Sequence, residues 1–201
     1  MSVRTIRTDT PTPVTLAHVV LRTAQLDAKI DFYEQLVGMR TNYRNASGAA
    51  LSHDGEHHRI ALMAVPPSEP NSLAPGLEHL AFKMRSLGEL LGNYRRLKTA
   101  GLVPLVTIHH GGTLSAYYLD PDGLQVETFI DTQIADLSIE DMSSDRFAAN
   151  PVGVPVDLDE LTDRFVAGEP IAALLEQPPL REGQLDELVT TITSTRGPRS
   201  A

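Results

Sequence analysis

The chain has 201 residues, 41% hydrophobic and 21% charged, enough for one or two small domains with a real core. It contains no cysteine, which excludes disulfides, thiolate nucleophiles, zinc fingers and iron–sulfur clusters. The net charge of -9 falls in residues 131–201, with 14 acidic and 5 basic side chains; residues 1–130 hold 12 of each and no basic run, so no nucleic-acid partner is expected.

Residues 1–13 read as an N-terminal arm. They lack the apolar segment of a secretory leader, and no stretch approaches the ~18–20 apolar residues of a membrane span. A cytoplasmic protein with no membrane partner is expected. From residue 14 the chain alternates and then turns helical: TLAHVVLRTAQLDAKIDFYEQLVGM gives an apolar strand, an amphipathic helix with Ile30, Tyr33 and Val37 on one face, and a closing Gly38. Three short extended runs follow, RTNYRN, GAALSHD and HHRIALMAV, separated by turn residues. After a Pro-rich loop at 65–76 the plan repeats. GLEHLAFKMRSLGELLGNYRRLKTAGL holds a strand and a helix with Leu87, Leu90, Leu91, Tyr94 and Leu97 on one face. LVPLVTIHH, LSAYYLD and LQVETFID then supply three more strands. Both closing glycines, Gly38 and Gly101, fit the left-handed residue that ends a helix.

The fold class is therefore α+β. Two βαβββ modules, about 14–66 and 76–131, pack into one curved mixed sheet in a domain spanning 14–131. Residues 132–201 form an acidic C-terminal extension with two short helical segments broken by proline. One of these starts at Asp157 as N-cap, with Glu160 three residues on. The last stretch, 190–201, is expected to fray.

Strand alternation picks out the chemistry. His18 and His79 occupy the same place in the two leading strands, at the middle of each, and Glu127 lies mid-strand in QVETF. A carboxylate at the centre of a buried strand is costly unless it is paired, hydrogen-bonded or metal-bound. Two repeat-related imidazoles and one carboxylate converging inside a curved sheet make a 2-His-1-carboxylate set, the ligand set of non-haem Fe(II) oxygenases. Core histidines satisfied by Glu127 are the alternative. By residue type alone, His57 and His58 are surface polar residues, and the D-P-D-G run at 120–123 is a turn that needs no further role.

The repeated module, with His18, His79 and Glu127 on the first, fifth and eighth strands, resembles the vicinal oxygen chelate superfamily of glyoxalases, bleomycin-resistance proteins and type I extradiol dioxygenases. HHRIALMAVP (57–66) and HHGGTLSAYYLDPDGLQVE (109–127) are similar to strings of the single-domain extradiol branch, and NPVGV (150–154) is similar to a tail string of single-domain members. The resemblance implies an extradiol ring-cleaving dioxygenase with His18, His79 and Glu127 as metal ligands. It implies His58 as acid–base, and His110 and Tyr117 as hydrogen-bonding partners of the substrate. His109 stands beside His110 as the other candidate for the loop histidine. The implied cofactor is Fe(II), with Mn(II) accepted by the same donors. The implied partners are a catechol-type substrate, O2 and further copies of the chain in a homo-oligomer. Two other readings fit the fold: a metal-dependent isomerase, epimerase or thiol transferase, and a protein that binds an aromatic molecule without turnover.

Overall fold

The computed structural model describes residues 16–67, 77–132, 144, 145, 148, 150 and 152–194. The N-terminal arm, most of the loop between the modules and residues 195–201 lie outside them. The periodic segments fold as their patterns dictate. Strand β1 (Val19–Thr23) leads into α1 (Leu26–Val37), then β2 (Arg40–Asn45), β3 (Gly48–Ser52) and β4 (Ile60–Ala64). The plan repeats as β5 (His79–Lys83), α2 (Leu87–Thr99), β6 (Val106–His109), β7 (Thr113–Leu119) and β8 (Gln125–Asp131). Helix α1 buries Ile30, Phe32, Tyr33 and Leu36, and stops where Gly38 takes φ 65° and returns its N–H to Glu34 O at 3.1 Å. Helix α2 buries the five residues of its apolar stripe and starts at Ser86, whose hydroxyl accepts from the Glu89 N–H at 3.2 Å.

Within each module the leading strand pairs in parallel with the last one. The first sheet runs β1-β4-β3-β2, with Val19 opposite Ile60. The second runs β5-β8-β7-β6, with His79 opposite Gln125 and Ala81 opposite Glu127. The α+β class and both βαβββ modules are as expected, but the single curved sheet is two sheets. The hydrogen-bond ladder of each module ends at its own leading strand, and the modules meet through helices and turns. The Asn93 side chain donates to Leu36 O at 3.0 Å, and Arg96 donates to Gln35 O. Lys29 of α1, buried, places Nζ 2.9 Å from Asp120 and 2.8 Å from Asp122 in the turn between β7 and β8.

The C-terminal extension is built onto the second module. Strand β9 (Val154–Pro155) pairs antiparallel with the outer edge of β6, Val154 opposite His109, and so covers an open sheet edge. Helix α3 (Leu158–Val166) starts at Asp157, whose carboxylate accepts from the Asp159 and Glu160 N–H groups as the sequence predicts. Leu158 and Leu161 join the same core as both modules. Helix α4 (Ile171–Leu174) follows Pro170, and α5 (Gln184–Ser194) closes the described chain. Residues 190–194, expected to fray, are helical. Leu188, buried with Ile108 and Tyr117, anchors α5 to the second sheet, and tertiary packing of this kind holds helices that propensity alone does not. No helix of the described residues is long and apolar enough to cross a membrane.

Candidate active site

The three residues singled out as ligands stand in different settings. Along β1, Leu21 and Thr23 are buried while Val20 and Arg22 are exposed, and alternation puts His18 in the exposed row. His18 precedes β1 by one residue and is itself exposed; His79 opens β5 and is half-buried. The expectation of imidazoles at strand centres is therefore met at neither. Both stand at the leading ends of parallel pairs, because pairing with β4 and β8 begins at Val19 and His79. Glu127 alone is mid-strand and buried, at 7% exposure.

Around Glu127 a polar cluster forms. In the parallel register His79 is two residues before Ala81, the residue opposite Glu127, and His79 Nε2 lies 3.4 Å from Glu127 Oε2. Tyr117 is directly opposite Glu127 on β7 and hydrogen-bonds to it, and its ring meets the His79 ring edge-on with centroids 5.7 Å apart. His110 Nε2 lies 3.0 Å from Tyr117 Oη. Burial, then the charge of Glu127 and its hydrogen bond, push the Tyr117 phenol well above its usual range, so it stays protonated at neutral pH. Burial pushes the His110 imidazole down; the charge of Glu127 and a hydrogen bond to the Val152 backbone act against this, and His79 adds to it. His110 is thus neutral at neutral pH.

His58 belongs to a second cluster, in the first module. Its ring packs on His18 and His57 with centroids 4.2 and 4.4 Å away. Desolvation, then the proximity of His18 and His57, lower its imidazole below the usual range. The loop that carries it is clamped by Arg59, which donates twice to Asp54 Oδ2, at 2.9 and 2.8 Å, and once to Ala17 O at 2.9 Å, next to His18. Asn42 adds a hydrogen bond to His57 O at 3.0 Å. The same loop faces the second module, with His53 edge-on to Phe82 of β5 at 6.0 Å.

The two adjacent loop histidines separate cleanly. His109 is buried, with Nε2 3.0 Å from Leu175 O and Nδ1 accepting from the Gly111 N–H at 3.1 Å. Its Nε2 thus holds the C-terminal extension through Leu175, and its Nδ1 holds the loop between β6 and β7. His110, not His109, faces Tyr117.

A metal would find part of its coordination set assembled. His79 and Glu127 offer one nitrogen and one carboxylate at a separation that two ligands of one ion can adopt, and the His79 side chain is 37% exposed, so the pair opens to solvent. His18 is a donor of the right type, but its ring packs on His58. Among the described residues no three His, Asp or Glu side chains are gathered closely enough to hold an ion. The donor types of His18, His79 and Glu127 fit a divalent metal of the iron type; the structure brings His79 and Glu127 together and does not bring His18 to join them.

A sequence profile described as Glyoxalase/Bleomycin resistance protein/Dioxygenase superfamily matches residues 15–128. The chain belongs to this superfamily. It is 38% identical over 162 residues to biphenyl-2,3-diol 1,2-dioxygenase 2 of Rhodococcus globerulus, covering 77% of this chain and 83% of that protein. It is 36% identical over 163 residues to biphenyl-2,3-diol 1,2-dioxygenase 3 of the same organism, covering 79% and 86%. The fold is also that of a glyoxylase/bleomycin resistance protein/dioxygenase domain from Frankia sp. EAN1pec, at 20% identity and TM-score 0.50 over 60% of this chain and 93% of that one.

Lys29 and its two aspartates escape a reading by hydrophobic pattern. The signal is a lysine lying within the buried arc of α1 beside Ile30, Tyr33 and Leu36. A charge there demands a buried partner, and the D-P-D-G turn supplies two.

Proposed function

We propose that this superfamily member is an Fe(II)-dependent extradiol dioxygenase that opens a catechol-type ring, with His18, His79 and Glu127 as the metal ligands. The observation that carries the reading is the His79–Glu127 pair with Tyr117 and His110 ranged behind it, in a chain similar over four-fifths of its length to two biphenyl-diol dioxygenases. Held by these residues, Fe(II) would supply a Lewis-acidic, redox-active centre for the chemistry of a catechol and O2.

The chain's own residues supply positioning and protons. Tyr117, held protonated by burial and by Glu127, turns its single O–H from that carboxylate to a substrate oxygen when Glu127 is engaged as a ligand. His110, neutral at neutral pH, offers Nε2 beside that phenol and orients it. His58 has its Nδ1 turned to His57 Nδ1, which leaves Nε2 as the atom that takes up or delivers a proton. Its lowered basicity keeps it ready to accept one at neutral pH. In the overall reaction the carbon–carbon bond beside the diol breaks and both atoms of O2 enter the product, so no external reductant is consumed.

Oxygen uptake by anaerobically Fe(II)-loaded protein, with a panel from catechol to biphenyl-2,3-diol, tests this. Uptake of one O2 per catechol with a yellow ring-opened product, lost on chelation of the iron, is the expected result. Protein that binds Fe(II) at His79 and Glu127 yet consumes no oxygen with any diol of the panel overturns it.

A further inference from the structure

The C-terminal extension straddles the outer edge of the second sheet. On β7, Leu114, Ala116 and Tyr118 point into the core shared with α1 and α2, so alternation turns Tyr117 to the opposite face, beside its register partner Glu127. Val106 lies opposite Tyr117 on β6, and Ile108 follows it on the same face. Strand β9 closes the edge of β6. From there Leu174 of α4 enters the core on one face, and Leu188 of α5 is buried with Ile108 and Tyr117 on the other. Helix α5 therefore covers part of the face that carries the site, although it lies outside the two modules.

Leu188 is 3% exposed and Tyr117 9%. Two imidazoles, His79 and His110, meet the Tyr117 ring edge-on, with centroids 5.7 and 6.0 Å away. Edge contacts of this kind restrain only weakly how far a phenol swings about its two side-chain torsions. A buried leucine in the same cluster is a firmer restraint, because a branched side chain packed on all sides resists displacement. The hydroxyl stands at the far end of the ring, so a small swing moves it most. Misplacing a reacting group by ~1 Å can cost on the order of 100-fold in rate.

We infer that Leu188 is a positioning residue for Tyr117: α5 lays it into the cluster that seats the phenol ring, and so holds the hydroxyl on the site face beside Glu127. The catalytic consequence rests on the dioxygenase reading given above, whereas the seating of the ring does not. The C-terminal extension thereby takes part in the site through one apolar side chain. A leucine that only fastened α5 would leave the Tyr117 hydroxyl where it is.

The test uses the full-length chain and has two arms. In the first, metal-free protein carries ring-13C-tyrosine, and Tyr117→Phe assigns the Tyr117 signals among those of the five tyrosines. Leu188→Ala is expected to move the Tyr117 signals and leave the other tyrosines in place, and Leu188→Met, which keeps the volume, to restore them. In the second arm, with Fe(II) and a catechol, Leu188→Ala is expected to lower kcat about three- to tenfold with KM changed less than about threefold. In a Tyr117→Phe background the same substitution is expected to change kcat less than about twofold, because the hydroxyl it positions is gone. Should Leu188→Ala not fold, Leu188→Val carries both arms with a smaller effect of the same sign. A folded Leu188 variant whose Tyr117 signals match wild type overturns the inference. So does a loss of kcat that is as large without the Tyr117 hydroxyl as with it. Protein whose Tyr117 signals move in Leu188→Ala but that takes up no oxygen supports the seating and overturns only the dioxygenase reading.

Discussion

Lys29 Nζ lies 2.9 Å from Asp120 Oδ2 across the seam between the two modules, with both side chains out of solvent. The same ammonium is 2.8 Å from Asp122, and Tyr33 Oη approaches Asp120 at 3.4 Å. Asp120 also accepts the Asp122 and Leu124 N–H groups at 3.0 Å, so the β7–β8 turn is organised around the carboxylate that receives the lysine. Because Tyr117 and Glu127 lie on the two strands this turn joins, the ion cluster ties α1 of the first module to the strands that carry the site.

Removing the cation is therefore expected to be expensive. Lys29→Met leaves the Asp120 carboxylate buried without a counter-ion, and breaking a buried pair from one side costs about 3–5 kcal/mol. Urea unfolding should show a loss in that range. Asp120→Asn in the Lys29→Met background should recover part of it, since the orphaned charge is then gone. A loss below about 1 kcal/mol for Lys29→Met alone would show that the cluster does not hold the modules together.

The same cluster predicts acid sensitivity. Burial raises the Asp122 carboxyl, but hydrogen bonds from Lys29, Thr23 and Gln25 and the lysine charge outweigh it, and the net shift is downward. A carboxyl lowered in the folded state contributes stability that is present above its unfolded pKa and is lost as pH falls through its folded pKa. Stability should thus be flat near neutrality and decline below about pH 4, where an unperturbed Asp begins to bind protons in the unfolded chain. Asp122→Asn should flatten that acid limb in chemical denaturation at stepped pH. An unchanged acid limb would exclude Asp122 as a source of the decline.

The modules were legible because their signals are local: period-2 strands, apolar helical stripes and glycine stops repeated some sixty residues apart. Asp157 as N-cap was legible for the same reason. His18, His79 and Glu127 stood out as polar residues in apolar strands, but the pattern could not say that both imidazoles sit at strand ends, since that depends on where β4 and β8 begin to pair. Lys29 was hidden because its partners lie 91 and 93 residues away, in a turn whose sequence is fully explained by its own geometry. The division of labour between His109 and His110 was hidden likewise. It is set by Leu175, Gly111 and Val152, two of them in the extension.

Metal binding should depend on His79 and on Glu127. His79→Ala removes the nitrogen that faces the buried carboxylate, and Glu127→Gln removes the one anionic donor, so either is expected to abolish retention of Fe(II) after desalting. Iron content per chain, measured by atomic absorption under anaerobic conditions, reads this directly. His79→Ala that retains one iron per chain would place the metal elsewhere.

His58 and Tyr117 should separate from the ligands by their phenotype. Neither is proposed to hold the metal, so His58→Phe and Tyr117→Phe are expected to keep full iron content and to bind a catechol. His58→Phe removes the proton-transfer group and should lower kcat by about 100-fold or more, the usual contribution of a positioned acid–base group. Tyr117→Phe removes the hydrogen bond proposed to the substrate oxygen and leaves the ring in place against Leu188 and Ile108, so a loss of about tenfold is expected, in keeping with about 1 kcal/mol for a single neutral hydrogen bond. Its effect should depend on His110. Because the phenol and His110 Nε2 share one hydrogen bond, Tyr117→Phe combined with His110→Gln should cost less than the product of the two single losses. Steady-state oxygen uptake on the four proteins of that cycle measures the coupling, and strictly multiplicative losses would mean that the two side chains act on the substrate independently.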